Sequence, residues 1–219
     1  MELTNRPKPQ DLRAGRVHEV CGNSALSFAA MAAGQRAGPV IWIEKESMPE
    51  RLCPNGLAAF FEPGRLVVVR PADGKEALWC MEESLRAAPS LVVAALGTAA
   101  GLTESRRLQL AAEAGQSVGL CLISDATISN AAETRWRSTA LPCARQNPSH
   151  QWELLKNKKG ILGHWEVRWD EAARDLTVVS ASGSRASAAQ QSLDQPQDTI
   201  RSGRDAKKRL AALLDQRSG

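Results

Sequence analysis

From Val17 to Ile123 short strand-like runs alternate with longer amphipathic stretches. Val17–Cys21 reads as a strand, and Val40–Ile43, Leu66–Val69, Leu91–Leu96 and Val118–Ile123 are continuous or nearly continuous apolar runs. Such runs suit strands buried on both faces, as in a parallel sheet. Between them lie helical patterns. Ala25–Ala33 follows a Gly22-Asn23-Ser24 turn and stops at Gly34. Gly56–Phe61 reads as a short helix. Lys75–Ala88 keeps Ala77, Leu78, Met81, Leu85 and Ala88 at helical spacing before Pro89. Thr103 is placed to cap a helix over Glu104–Ala114, with Gly115 as its C-cap. Beyond Ile123 the pattern changes. Ser138–Leu141, Gln151–Lys156 and Trp165–Trp169 alternate apolar with polar residues, as half-exposed antiparallel strands do. Leu176–Val179 adds a last strand. Strands alternating with helices imply right-handed crossovers. The expected class is therefore α/β: a mainly parallel sheet flanked by helices, with antiparallel strands extending one edge.

The pattern also divides the chain. Residues 1–14 are polar and proline-bearing, an N-terminal arm; 15–180 make the core. Residues 181–203 are rich in Ser, Ala, Gln and Gly, from which no core can be built, and read as a flexible linker. Residues 204–217 read as an amphipathic helix. Leu210, Leu213 and Leu214 form its stripe, and Lys207 and Lys208 crowd its first half. A helix this short is marginal alone in water, so that stripe is the expected partner-docking surface. The alternative is that it folds back on its own sheet.

Composition narrows the picture. Of 219 residues, 43% are hydrophobic and 24% charged, as in soluble globular proteins. No apolar run reaches the roughly 18 residues that span a bilayer. The N-terminus has no apolar core for a secretory signal, so the expected location is cytoplasmic. Cys21, Cys53, Cys80, Cys121 and Cys143 are dispersed, without metal-knuckle spacing, and read as buried free thiols. His18, His150 and His164 are equally scattered, and no nucleophile–base order is visible. Trp136, Trp152, Trp165 and Trp169 cluster late in the chain, a sheet-packing signature with base stacking as the lesser reading. The net charge of +4 permits contact with nucleic acid without demanding it. Arg135, Arg137, Lys156, Lys158 and Lys159 are the candidate phosphate contacts; the alternative is that they are solvated surface charges.

The strand, glycine turn and helix at residues 17–33 are the setting of a phosphate-binding loop, G-x-x-x-x-G-K-[ST]. In such a loop backbone amides surround phosphate oxygens, the lysine neutralises charge and the hydroxyl holds magnesium. Here Gly22, Asn23 and Ser24 open the loop, but Phe28 and Ala29 stand where lysine and hydroxyl are needed. The carboxyl end of the fourth strand, Ala94-Ala95-Leu96, lacks the acid that would hold the magnesium shell. Glu44 and Glu46 follow the second strand and read as solvated loop acids. No cofactor, metal site or catalytic residue is expected.

Several segments carry a family resemblance. They are Gly15-Arg16-Val17-His18-Glu19-Val20, Asn55-Gly56-Leu57-Ala58-Ala59-Phe60, Pro63-Gly64-Arg65-Leu66, Ser105-Arg106-Arg107-Leu108-Gln109-Leu110-Ala111 and Thr134-Arg135-Trp136-Arg137. With the order of elements over 16–180, they make this region resemble the RecA-like ATPase core, and more closely the ImuA family, RecA-like and SulA-related. Leu154-Leu155-Lys156-Asn157-Lys158 resembles a late strand of RecA. The resemblance implies a non-catalytic accessory protein of the SOS response to DNA damage. It would act in a mutasome for translesion synthesis with ImuB, a Y-family-like polymerase homologue, and ImuC, an error-prone polymerase, with RecA as a further candidate partner. DNA contact would be indirect or weak. Two other readings stay open: a SulA-like inhibitor of cell division, and a RecA-like ATPase with a degenerate loop.

Overall fold

The computed structural model describes residues 12–124, 129–142, 148–158 and 160–185. In chain order the elements are β1 (Arg16–Cys21), α1 (Ala25–Gly34), β2 (Val40–Glu44), α2 (Pro54–Leu57), β3 (Leu66–Val69), α3 (Gly74–Arg86), β4 (Leu91–Gly97), α4 (Leu102–Gly115), β5 (Val118–Ile123), β6 (Thr134–Ala140), β7 (Ser149–Asn157), β8 (Ile161–Asp170) and β9 (Asp175–Arg185). All nine strands join one sheet, in the order β3-β2-β4-β5-β1-β6-β7-β8-β9. The pairs from β3 to β6 are parallel; β6–β7, β7–β8 and β8–β9 are antiparallel. The mixed α/β class expected from the pattern is thus present. β6 is the hinge between its two halves, running parallel to β1 on one side and antiparallel to β7 on the other.

The two faces bury different helices. Successive strand residues point to opposite faces. Leu91 and Val93 of β4 join Val20, Trp42 and Leu120 in a core with Phe28, Met31 and the alanines of α1. Val92, Ala94 and Leu96 turn the other way, joining Val17 and Cys121 against Ala77, Met81 and Leu85 of α3 and Leu108, Ala111 and Ala112 of α4. That two-sided burial is why these strands read as unbroken apolar runs. The antiparallel half adds Trp152, Leu154, Trp165, Val167, Trp169 and Leu176 to the α1 side. Trp136, Trp152, Trp165 and Trp169 are all buried, so the cluster packs the sheet.

Several boundaries differ from the sequence reading. α4 begins at Leu102 with Gly101 as N-cap, not Thr103, and ends with Gln116 in the left-handed conformation, not on Gly115. Gly101 leaves room for the Glu104 carboxylate beside it. α3 opens one residue early because Asp73 accepts from the Glu76 N–H at 2.8 Å. The short helix is only Pro54–Leu57; Phe60 and Phe61 still donate to Leu57 O, and Phe61 is buried. β9 runs to Arg185, so the first residues assigned to the linker are sheet. The chain divides after Ala186, and the described residues all lie in the first unit. Most of the N-terminal arm, the linker from 186 and the 204–217 helix with Lys207, Lys208, Leu210, Leu213 and Leu214 fall outside them. No helix among the described residues is long and apolar enough to cross a membrane.

Candidate functional site

β1 delivers the chain to the Gly22–Ser24 loop at its carboxyl end, and α1 carries it away, as the sequence implies. The loop is not open. Gly22 has φ +99°, and a Cβ there would lie 2.3 Å from Ser138 O of β6. Ser24 N–H donates to that same Ser138 O at 3.1 Å, and Ala25 N–H turns back to Gly22 O at 3.2 Å. Ser24 Oγ lies 2.6 Å from Nδ1 of His150 on β7, both residues being buried. Asn23 Oδ1 accepts from Ala140 N–H at 3.0 Å. The Ser24 amide and hydroxyl, two groups a phosphate would use, are thus bonded to β6 and β7, and the Ala25 amide is bonded within the loop.

Phe28 completes the closure. It is fully buried, its ring centroid 4.3 Å from that of Trp152 and 5.8 Å from that of Trp136. Trp136 in turn packs against Trp165, the rings tilted by 49° with centroids 5.3 Å apart. Aromatic pairs at such separations add about 0.5–1.5 kcal/mol each beyond the area they bury. Ala29 is also fully buried. The positions that would bear lysine and hydroxyl thus belong to the core.

Among the described residues the carboxyl ends of β4 (Leu96, Gly97) and β5 (Ile123, Ser124) carry no acid; Asp125 lies outside them. Glu44, expected as a solvated loop acid, is instead buried; its carboxylate accepts from Arg70 Nε at 3.0 Å and Leu52 N–H at 3.1 Å. The sequence gives no hint of this, because Arg70 follows β3, which pairs with β2 only in the assembled sheet. Glu46 is exposed as expected. Next to Glu44 is a cavity of about 280 Å³, lined by Leu26, Trp42, Met48, Leu52 and Phe60 among others, more apolar than a polyphosphate would accept.

The basic residues singled out for DNA are not brought together as an open patch. Arg135 is buried, its Nε donating to Glu19 Oε2 at 2.7 Å, which corrects its reading as a phosphate contact. Register explains the pair: Glu19 and Arg135 are direct partners across β1–β6. Asn130 Nδ2 donates to the other Glu19 oxygen. Lys156 Nζ donates to Asn130 O at 2.8 Å, and Lys158 Nζ to Ala131 O at 2.9 Å. Arg137 pairs with Glu153 at 3.0 Å. The two lysines anchor the segment before β6, and Arg137 joins β6 to β7; Lys159 lies outside the described residues.

His18 is a buried, hydrogen-bonded histidine of β1, as its place in a predicted strand implies, but its partners were not legible in the sequence. Trp136 Nε1 donates to Thr134 Oγ1 at 2.9 Å, and Thr134 Oγ1 lies 2.7 Å from His18 Nδ1. His18 Nε2 faces Arg13 O at 3.4 Å, and a carbonyl only accepts, so the network assigns the proton to Nε2 and makes Nδ1 the acceptor for the Thr134 hydroxyl. Burial lowers the His18 pKa to about 3, and the charges of Arg36, Arg13 and Arg16 push the same way. Desolvation likewise lowers His150. The only sequence signal was polar residues, His18 and Glu19, inside a predicted strand. Among the cysteines, Cys21 and Cys121 are buried as expected, but Cys53 is exposed and Cys80 half-buried; Cys143 is outside the described residues. Burial pushes the Cys121 thiol well above its ordinary range, which keeps it protonated.

No protein-family model matches this chain, and no curated protein does.

Proposed function

We propose that the chain is a non-catalytic, RecA-like accessory protein of a DNA-damage-induced translesion-synthesis complex, recruiting or bridging an ImuB-type polymerase homologue, with RecA as a further partner and an ImuC-type polymerase in the same complex. The single observation that carries the non-catalytic part is Phe28, buried between Trp136 and Trp152 where a nucleotide loop needs its lysine. The RecA-like part is supported by β1 in mid-sheet with the loop at its carboxyl end, parallel strands on either side and an antiparallel extension beyond β6. The choice of partners rests on the family resemblance of the sequence segments.

A scaffold needs stable surfaces more than a reacting centre, and buried ion pairs in place of catalytic acids fit that use. The test is co-purification of the full chain with purified ImuB-type and ImuC-type proteins. Stoichiometric complex formation, weakened when Leu210, Leu213 and Leu214 are replaced by Ser, is the expected result. Binding to the cell-division tubulin instead, with no affinity for either polymerase-type protein, would replace this reading with the SulA-like one.

A further inference from the structure

A cleft of about 790 Å³ opens at the far end of α1 from the Gly22–Ser24 loop, between residues 34–38, Arg65 and the β8–β9 turn. Three guanidinium groups line it: Arg36, Arg65 and Arg174. We propose that this cleft is a binding site for a phosphate-type oxyanion, carried either by a nucleic-acid backbone or by a small phosphorylated molecule. This inference stands independently of the accessory role proposed above.

Charge balance is the argument. Among the described residues no carboxylate pairs with any of the three arginines. Asp175, the one acid in the lining, accepts from Gln35 Nε2 at 3.3 Å and Leu176 N–H at 2.7 Å and offsets one of the three positive charges, leaving an excess of two. Arg36 donates to Ala32 O and Leu12 O, and Arg65 to Gly38 O, Ala33 O and Arg36 O. Those are neutral carbonyls. They hold the guanidiniums in place at the helix C-terminus without cancelling their charge. The helix end supplies only about half a negative charge. Burial lowers the Arg65 pKa, and the charge of Arg174 adds to the effect, the mark of like charges held together in a part-desolvated place. Burial lowers Arg36 as well.

The fork geometry favours an oxyanion over any neutral ligand. Arg65 uses Nε and Nη2 on carbonyls, and among the described residues its Nη1 has no protein partner. Arg174 is exposed on the turn and makes one long contact, 3.4 Å to Ala58 O. A planar guanidinium with unspent N–H groups bonds phosphate oxygens in parallel pairs, and three such groups exceed what a single carboxylate can answer.

The experiment uses the full chain at low salt with two probes. One is inorganic pyrophosphate, followed by calorimetry; the other is a labelled oligothymidylate, followed by fluorescence anisotropy. Arg174→Glu removes the exposed guanidinium, and Arg106→Glu, at an exposed position on α4, makes the same change of net charge elsewhere. The expected result is that at least one probe binds, about tenfold more weakly in R174E and within about twofold of wild type in R106E. Pyrophosphate binding without oligonucleotide binding identifies a small phosphorylated ligand. Oligonucleotide binding that pyrophosphate displaces identifies a nucleic-acid backbone. If neither probe binds, or if both variants weaken binding equally, the site does not exist.

Discussion

Phe28 decides what the first loop can be. Truncating it to Ala would open a void between Trp136 and Trp152 and cost about 3–5 kcal/mol. A chemical-denaturation midpoint unchanged by that variant would mean the ring is not the core element described. Ser138 makes the opposite case. Its hydroxyl is buried with no hydrogen-bond partner among the described residues, while its carbonyl holds Ser24. Ser138→Ala removes an unsatisfied group and should be neutral or stabilising by up to about 1 kcal/mol in urea titration. A loss larger than that would reveal a partner for the hydroxyl. His18 sets a pH dependence. Its folded pKa is depressed to about 3, so between the ordinary histidine value of 6.5 and about 3 the unfolded chain binds a proton that the folded chain refuses. Stability therefore falls as pH drops through that window, by up to about 5 kcal/mol. Denaturation midpoints measured from pH 7 to pH 4 should decline, and His18→Gln should flatten the decline.

At the scale of elements, Glu19 and Arg135 join β1 to β6 where the parallel half of the sheet meets the antiparallel half. Removing one partner leaves a buried charge uncompensated. Arg135→Met alone should cost about 3–5 kcal/mol, and adding Glu19→Leu should recover most of it. A double variant no better than the single one would show that the pair does more than satisfy itself. The sequence told these elements apart well where burial is two-sided. Leu91–Leu96 and Val118–Ile123 are apolar because helices cover both faces, so their runs announce the strands. It told little about who faces whom. Thr134–Arg137 looks like a basic surface segment, yet cross-strand register buries Arg135 against Glu19, and register is a property of the assembled sheet. The same limit hid Glu44 and Arg70, which meet only because β2 and β3 lie side by side. The caps of α4 were missed for a local reason. Gly101 and Gln116 hold the end conformations, and Thr103, the better capping residue on paper, lies inside the first turn.

At the scale of the whole molecule, the loop after β1 is packed against the antiparallel half of the sheet. β6 and β7 hold the loop: Ser138 O accepts from the Ser24 amide, His150 Nδ1 bonds the Ser24 hydroxyl and the Ala140 amide donates to Asn23 Oδ1. The sequence showed that lysine and hydroxyl were missing; it did not show that the loop is closed, because the closing residues lie more than a hundred positions away. Restoring the motif alone should therefore fail. Phe28→Lys with Ala29→Ser should lower the melting temperature without creating ATP affinity, since the new lysine would enter an aromatic core. The measurement that bears most directly on the account is calorimetric titration of the full wild-type chain with ATP and magnesium. The account predicts no saturable heat up to millimolar nucleotide, a level at which even a binding free energy of about −4 kcal/mol would register. Saturable binding that Ser24→Ala abolishes would contradict it, because a nucleotide would then occupy the loop that the structure closes.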